Sequence, residues 1–107
     1  MPAFVKYDKA PEPVGGFAAI QKNVHYPRIA KQAGIEGRVI LNVLVHKSGR
    51  VDSVIVLKSL GESGCDQAAM AAVKAVQWQP AQQDGTPVSV WVGIPVIFKL
   101  DGAVEKK

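Results

Sequence analysis

Between residues 88 and 100 every second residue is apolar: Val88, Val90, Val92, Ile94, Val96, Phe98 and Leu100. Side chains of an extended chain alternate between its two faces, so this run reads as one long strand with one face against a core. Ser89, Trp91, Gly93, Pro95, Ile97 and Lys99 form the opposite face. Such a strand requires sheet partners and a covering layer, and the rest of the chain has to supply both.

Residues 38–46 supply the first partner. Val39, Leu41, Val43 and Val45 point to one face, and Arg38, Ile40, Asn42, Leu44 and His46 to the other. Ser48-Gly49 then signals a hairpin, with a second strand over about residues 50–59 and a loop over 59–64. The covering layer comes from Cys65, Ala68, Ala69, Ala72, Val73 and Val76, spaced as one apolar helical stripe. Asp66 in its first turn and Lys74 in its last suit the helix dipole. A shorter stripe of Phe17, Ile20 and Val24 predicts another helix. A break at Tyr26 follows, because proline restricts the residue before it and favours the first turn of a helix. Residues 27–33 then form a short helix with Ile29, Ala30 and Ala33 on its core side, stopped by Gly34. A short strand over 78–82, interrupted by Pro80, and a turn at Asp84-Gly85 complete the reading. The fold class is α+β: a two-layer sandwich with helices on one face of a three-stranded antiparallel sheet plus a short extra strand.

With 107 residues the chain amounts to one domain. Residues 1–16 hold Pro2, Pro11, Pro13 and Gly15-Gly16, and read as an extended arm or the end of a proline-rich linker. Residues 17–100 form the domain, and 101–107 a flexible tail. No apolar run approaches the ~20 residues of a membrane span, and no charged-then-apolar signal pattern opens the chain. The expectation is a soluble stretch whose targeting segment, where one exists, lies upstream.

The last strand also carries a feature that points outward. Pro95 cannot donate a ladder hydrogen bond, which places its strand at a sheet edge, and Gly93 weakens pairing or marks a bulge. Either these residues discourage edge-to-edge aggregation, or the edge receives an extended peptide by strand addition. A second feature is apolar content on the face away from the helices: Ile40, Leu44, Trp91, Ile97 and part of the 55–57 segment. Such a patch calls for a cover: the arm carrying Phe4, Val5 and Tyr7, a second copy of the chain as a homodimer, or a partner protein.

The constellations of enzymes are absent from the sequence. His25 and His46 have no Cys or carboxylate at metal-ligand spacing. Cys65, the single cysteine, has the helix-start position that can lower a thiol pKa, but fits the apolar stripe and reads as buried. Ser59 and Ser63 lack histidine and carboxylate partners, no phosphate-binding loop follows a strand, and no cofactor or metal is expected. The net charge of +4 comes from 13 basic and 9 acidic residues scattered along the chain. Without a basic stripe interleaved with aromatics, they read as a solvated surface and not as a nucleic-acid site.

Taken in order, the motifs resemble a known family. Tyr26-Pro27-Arg28-Ile29-Ala30, then Gly34-Ile35-Glu36-Gly37 leading into Val39, is similar to the opening of the C-terminal domain of TonB energy transducers. Ser48-Gly49-Arg50-Val51, the alanine-rich helix, Trp78, Pro80 and Ala81, and the closing Ile94-Pro95-Val96 with Phe98 continue the likeness over residues 17–100. The resemblance implies the periplasmic domain of a protein anchored in the inner membrane upstream of this chain. An ExbB/ExbD-type complex there draws on the proton gradient, and the domain grips the TonB box of outer-membrane transporters during nutrient uptake. Carried over by position, the box would add along Val90, Trp91, Val92, Gly93, Ile94, Pro95, Val96, Ile97 and Phe98, with Asn23, Val24, His25 and Tyr26 close by. The alternative within the same fold plan is a TolA-like adaptor domain serving envelope integrity.

Overall fold

The computed structural model describes residues 7–100. Phe4, Val5 and the expected tail at 101–107 lie outside them. In chain order the elements are β1 (Glu12–Pro13), α1 (Phe17–Lys22), α2 (Arg28–Ala33), β2 (Gly37–Val45), β3 (Val51–Lys58), α3 (Cys65–Ala75), β4 (Trp78–Gln79), β5 (Ala81–Gln83), β6 (Thr86–Val88) and β7 (Val90–Phe98).

The main sheet has three antiparallel strands in the order β3-β2-β7. β2 lies in the middle and is the strand with the strictest alternation, Val39, Leu41, Val43 and Val45 all being fully buried. Its pairing with β7 is unbroken from Gly37 opposite Phe98 to Val45 opposite Val90. Its pairing with β3 shifts register between Ile40 and Leu41 and between Leu44 and Val45. α3 and α1 cover the inner face, burying Cys65, Ala69, Ala72, Val73 and Ile20 against Val96 and Phe98. The outer face is left partly open, with Ile55, Leu57 and Ile97 exposed.

Several expectations are corrected. The long strand over 88–100 is divided: Val88 ends β6, which pairs with β5, whereas β7 starts at Val90 and pairs with β2. Ser89 lies between these two pairings, and its Oγ accepts the Lys47 N–H at 2.9 Å. The short strand over 78–82 is interrupted at Pro80 as expected, giving β4 and β5, and β5 runs one residue further to Gln83. Asp84 and Gly85, with φ of 53° and 81°, turn the chain between β5 and β6. Phe17 and Ile29 are 40% and 70% exposed, not in the core. Ala33 is exposed too, and Val24 lies beyond the end of α1. α1 and α2 have six residues each, fewer than two turns. Each therefore presents one residue to the core, Ile20 and Ala30 respectively.

The described part of the arm is ordered by main-chain pairing. Glu12 and Pro13 pair with Gln79 and Trp78, and Lys9 bridges to Gln82. Its partners are therefore the short strands after α3 and not the outer face of the main sheet.

Asp66 fastens the loop before α3. Its carboxylate accepts the Leu60 N–H at 3.0 Å and the Ser59 hydroxyl. Hydrogen bonds to a charged acceptor contribute about 1.5–3 kcal/mol each when buried and less when solvated. Asp66→Ala is expected to destabilise the domain by about 1–2 kcal/mol, read as a lower urea midpoint with an unchanged slope.

Candidate peptide-binding edge

β7 has one paired side and one that no described strand occupies. In an antiparallel ladder, residues that exchange hydrogen bonds with the neighbouring strand alternate with residues whose N–H and C=O point away from it. Ile97 shows which set is which. Its N–H donates to Gln21 Oε1 at 3.0 Å and its C=O accepts from Gln21 Nε2 at 3.2 Å, on the side away from β2. Because the register with β2 does not slip, Trp91, Gly93 and Pro95 also direct their main-chain groups to the open side.

The proline in β7 thereby acquires its physical reason. Pro95 places its missing donor where no ladder bond to β2 is lost. The open edge then offers the N–H groups of Trp91 and Gly93 and the C=O groups of Trp91, Gly93 and Pro95. The other strand residues, Val90, Val92, Ile94, Val96 and Phe98, give their main-chain groups to β2.

The side chains beside this edge are apolar. Val96 and Phe98 are fully covered, but Val92 and Ile94 on the same inner face are only half-buried, although Val43 and Leu41 opposite them are fully buried. The helical layer thus stops short of the middle of the edge strand; α1 meets β7 at the Ile97 end instead. On the outer face Trp91 lies opposite Leu44, with its indole N–H buried and without an acceptor among the described residues.

Residues 22–100 match the family model for the Gram-negative bacterial TonB protein C-terminal region. The chain belongs to the TonB C-terminal family. It is 38% identical over 82 residues to protein TonB of Vibrio cholerae, covering 77% of this chain and 34% of that protein. It is 41% identical over 76 residues to protein tonB2 of Pseudomonas aeruginosa, covering 71% and 28%. The chain thus spans about a third of the length of these relatives. The solution structure of the Pseudomonas aeruginosa TonB C-terminal domain superposes with a TM-score of 0.65 at 26% identity, covering 88% of this chain and 90% of that one. The Helicobacter pylori TonB C-terminal domain gives 0.59 at 27%, covering 77% and 86%.

In this TonB C-terminal domain the segment before the Tyr-Pro pair meets β7 at one end. Tyr26 packs edge-on against Phe98, with ring centroids 5.3 Å apart and planes at 88°, and its hydroxyl donates to the Ile35 carbonyl. Val24 packs against the core. The Asn23 side chain turns back into its own helix and donates to the Ala19 carbonyl at 2.8 Å, and His25 is exposed. Of these four side chains, Tyr26 therefore makes a direct ring contact with the strand. Gln21, two residues before Asn23, forms the edge contact, and nothing in the sequence pattern marks it. Its partner is a main-chain unit 76 residues away, and no side-chain pattern encodes such a contact.

Among the described residues no group of three or more His, Cys, Asp or Glu side chains is placed to share a metal ion. Cys65 is fully buried, as its stripe position implies. No helix among the described residues is long and apolar enough to cross a membrane.

Proposed function

We propose that this TonB C-terminal domain takes the TonB box of an outer-membrane transporter as an added strand on the open side of β7. The observation that carries the reading is the pair of outward N–H groups at Trp91 and Gly93, flanked by the half-buried side chains of Val92 and Ile94. An added strand would satisfy the main-chain groups, and its inward side chains would complete the cover of the inner face.

Five main-chain groups are open, two donors and three acceptors. At about 1 kcal/mol net per hydrogen bond, offset by the cost of association, they support a moderate affinity and quick release. Bonds in a ladder share a pull along the strand, and main-chain recognition tolerates varied box sequences. Both properties suit a domain that passes force to several transporters. In the full-length protein the force would derive from the proton gradient through an ExbB/ExbD-type complex, and an upstream inner-membrane anchor would hold the domain in the periplasm. The relatives are TonB proteins, and no observation favours a TolA-like role.

The test is a titration of the nitrogen-15-labelled domain with a TonB-box peptide from a transporter of the same organism. Amide shifts are expected at Trp91 and Gly93, with smaller ones near Tyr26. Shifts that avoid both 90–98 and 23–26 would overturn the assignment. Line broadening that depends on protein concentration without peptide would indicate that a second copy takes the edge.

A further inference from the structure

We propose that Gln21 is the register stop of the β7 edge: its side-chain amide occupies the edge position of Ile97, so that an added strand ends against Pro95. The inference rests on the strand-addition reading and deepens it.

The side chain of glutamine ends in a primary amide, one C=O and one NH2, which is the hydrogen-bonding equipment of a peptide unit. At Ile97 it makes both bonds that a paired strand residue would make, accepting from the N–H at 3.0 Å and donating to the C=O at 3.2 Å. An arriving peptide therefore meets a position already filled. Taking it over would exchange two hydrogen bonds for two of the same kind, while further peptide residues lose backbone freedom. Pro95 weakens the incentive further. It sits between the clamped position and the open part, and offers no N–H to carry the ladder across. α1 stands beside β7 at this end, so the clamp is anchored on a helix and not on a loop. The usable edge is therefore Trp91 to Pro95, shorter than the strand that bears it. A short fixed footprint aligns every box peptide in one register, and a one-residue slip would reverse which of its side chains face inward.

The closing experiment compares the wild-type domain with Gln21→Ala against nested TonB-box peptides of five, seven and nine residues from one transporter of the same organism. Affinities are measured by calorimetry, and the Ile97 amide and Gln21 side-chain NH2 signals by nitrogen-15 NMR. The five-residue peptide is expected to bind both proteins equally within twofold. The nine-residue peptide is expected to bind Gln21→Ala about five- to tenfold more tightly than wild type, since two freed main-chain groups become available to it. In wild type the Gln21 NH2 signals stay in place on binding, and the Ile97 amide is protected from exchange with or without peptide. In Gln21→Ala the Ile97 amide exchanges freely and regains protection with nine residues only. Release of the Gln21 NH2 signals by peptide in wild type, or equal affinities of the two proteins at every length, would overturn the stop. Absence of any response at Trp91 and Gly93 in both proteins would overturn strand addition itself, and is distinguishable from either of these results.

Discussion

Gly93→Pro is expected to lower affinity for a TonB-box peptide by about tenfold or more, about 1.4 kcal/mol or above, with the fold retained. Gly93 turns its N–H away from β2, so proline there removes no bond from the sheet, and its ring projects into the space an added strand would use. With Pro95 already lacking a donor, Trp91 would be left as the single open N–H of the edge. Loss of one hydrogen bond, together with an acceptor on the peptide left unsatisfied, accounts for about 1–3 kcal/mol. Gly93→Ala is the matched control. A Cβ at this position meets nothing within 4 Å, the N–H is kept, and affinity is expected to stay within about twofold of wild type on general experience of surface substitutions. Calorimetric titration of both variants with one peptide makes the comparison, and thermal melts by circular dichroism verify that both are folded. A proline variant that binds as well as wild type would show that the peptide does not use the Gly93 amide, and the assignment of the edge would fail.

What was legible in the sequence follows from what each signal depends on. The alternation in β2 is a property of consecutive residues, and all four inward valine and leucine side chains are buried. The edge position of β7 was legible because Pro95 carries a main-chain constraint in its own side chain. The helical stripe of α3 was legible because eleven residues span three turns, long enough for a period to be defined. α1 and α2 are too short for that, and Ile29 shows how an apolar residue at the right spacing still ends up in solvent. The division of the last strand at Ser89 depends on which neighbour each half pairs with, a choice made by β5 and β2 and not by residues 88–100. The arm was legible as extended, but its docking on β4 and β5 uses main-chain groups that every residue possesses. Gln21 belongs to the same class: an ordinary polar side chain on a helix acquires its role when tertiary packing brings Ile97 to it. In this domain side-chain periodicity was readable, and contacts made by the main chain became visible in three dimensions.

Gly49→Ala is expected to destabilise the domain by about 3 kcal/mol and to lower its melting temperature by roughly 10–20 °C. Gly49 closes the β2–β3 hairpin with φ of +95°, a conformation that costs an L-residue about 1–2 kcal/mol. Space is the second difficulty. A Cβ there would stand 2.6 Å from the Trp78 carbonyl oxygen, a main-chain atom that cannot turn aside. Trp78 is itself held from three directions. Its N–H donates to the Gly49 carbonyl at 3.3 Å, its indole Nε1–H donates to the Val73 carbonyl at 3.1 Å, and it pairs with Pro13 of the arm. Relief therefore requires the hairpin to move as a unit, and such shifts cost about 1–3 kcal/mol. Gly85→Ala separates the two contributions. Gly85 has a φ of +81° with nothing within 4 Å of the added carbon, so it should show the conformational cost alone, about 1 kcal/mol. Melting curves of the two variants side by side give the contact term by difference. If Gly49→Ala melts within about 4 °C of Gly85→Ala, less than 1 kcal/mol separates them and the Trp78 contact is relieved at negligible cost. A larger gap identifies the hairpin tip as the point where β2, the start of β4 and the arm are locked together. Because Lys47 of the same turn also donates to Ser89 at the head of β7, that lock helps to hold in place the strand whose far side is proposed to take the peptide.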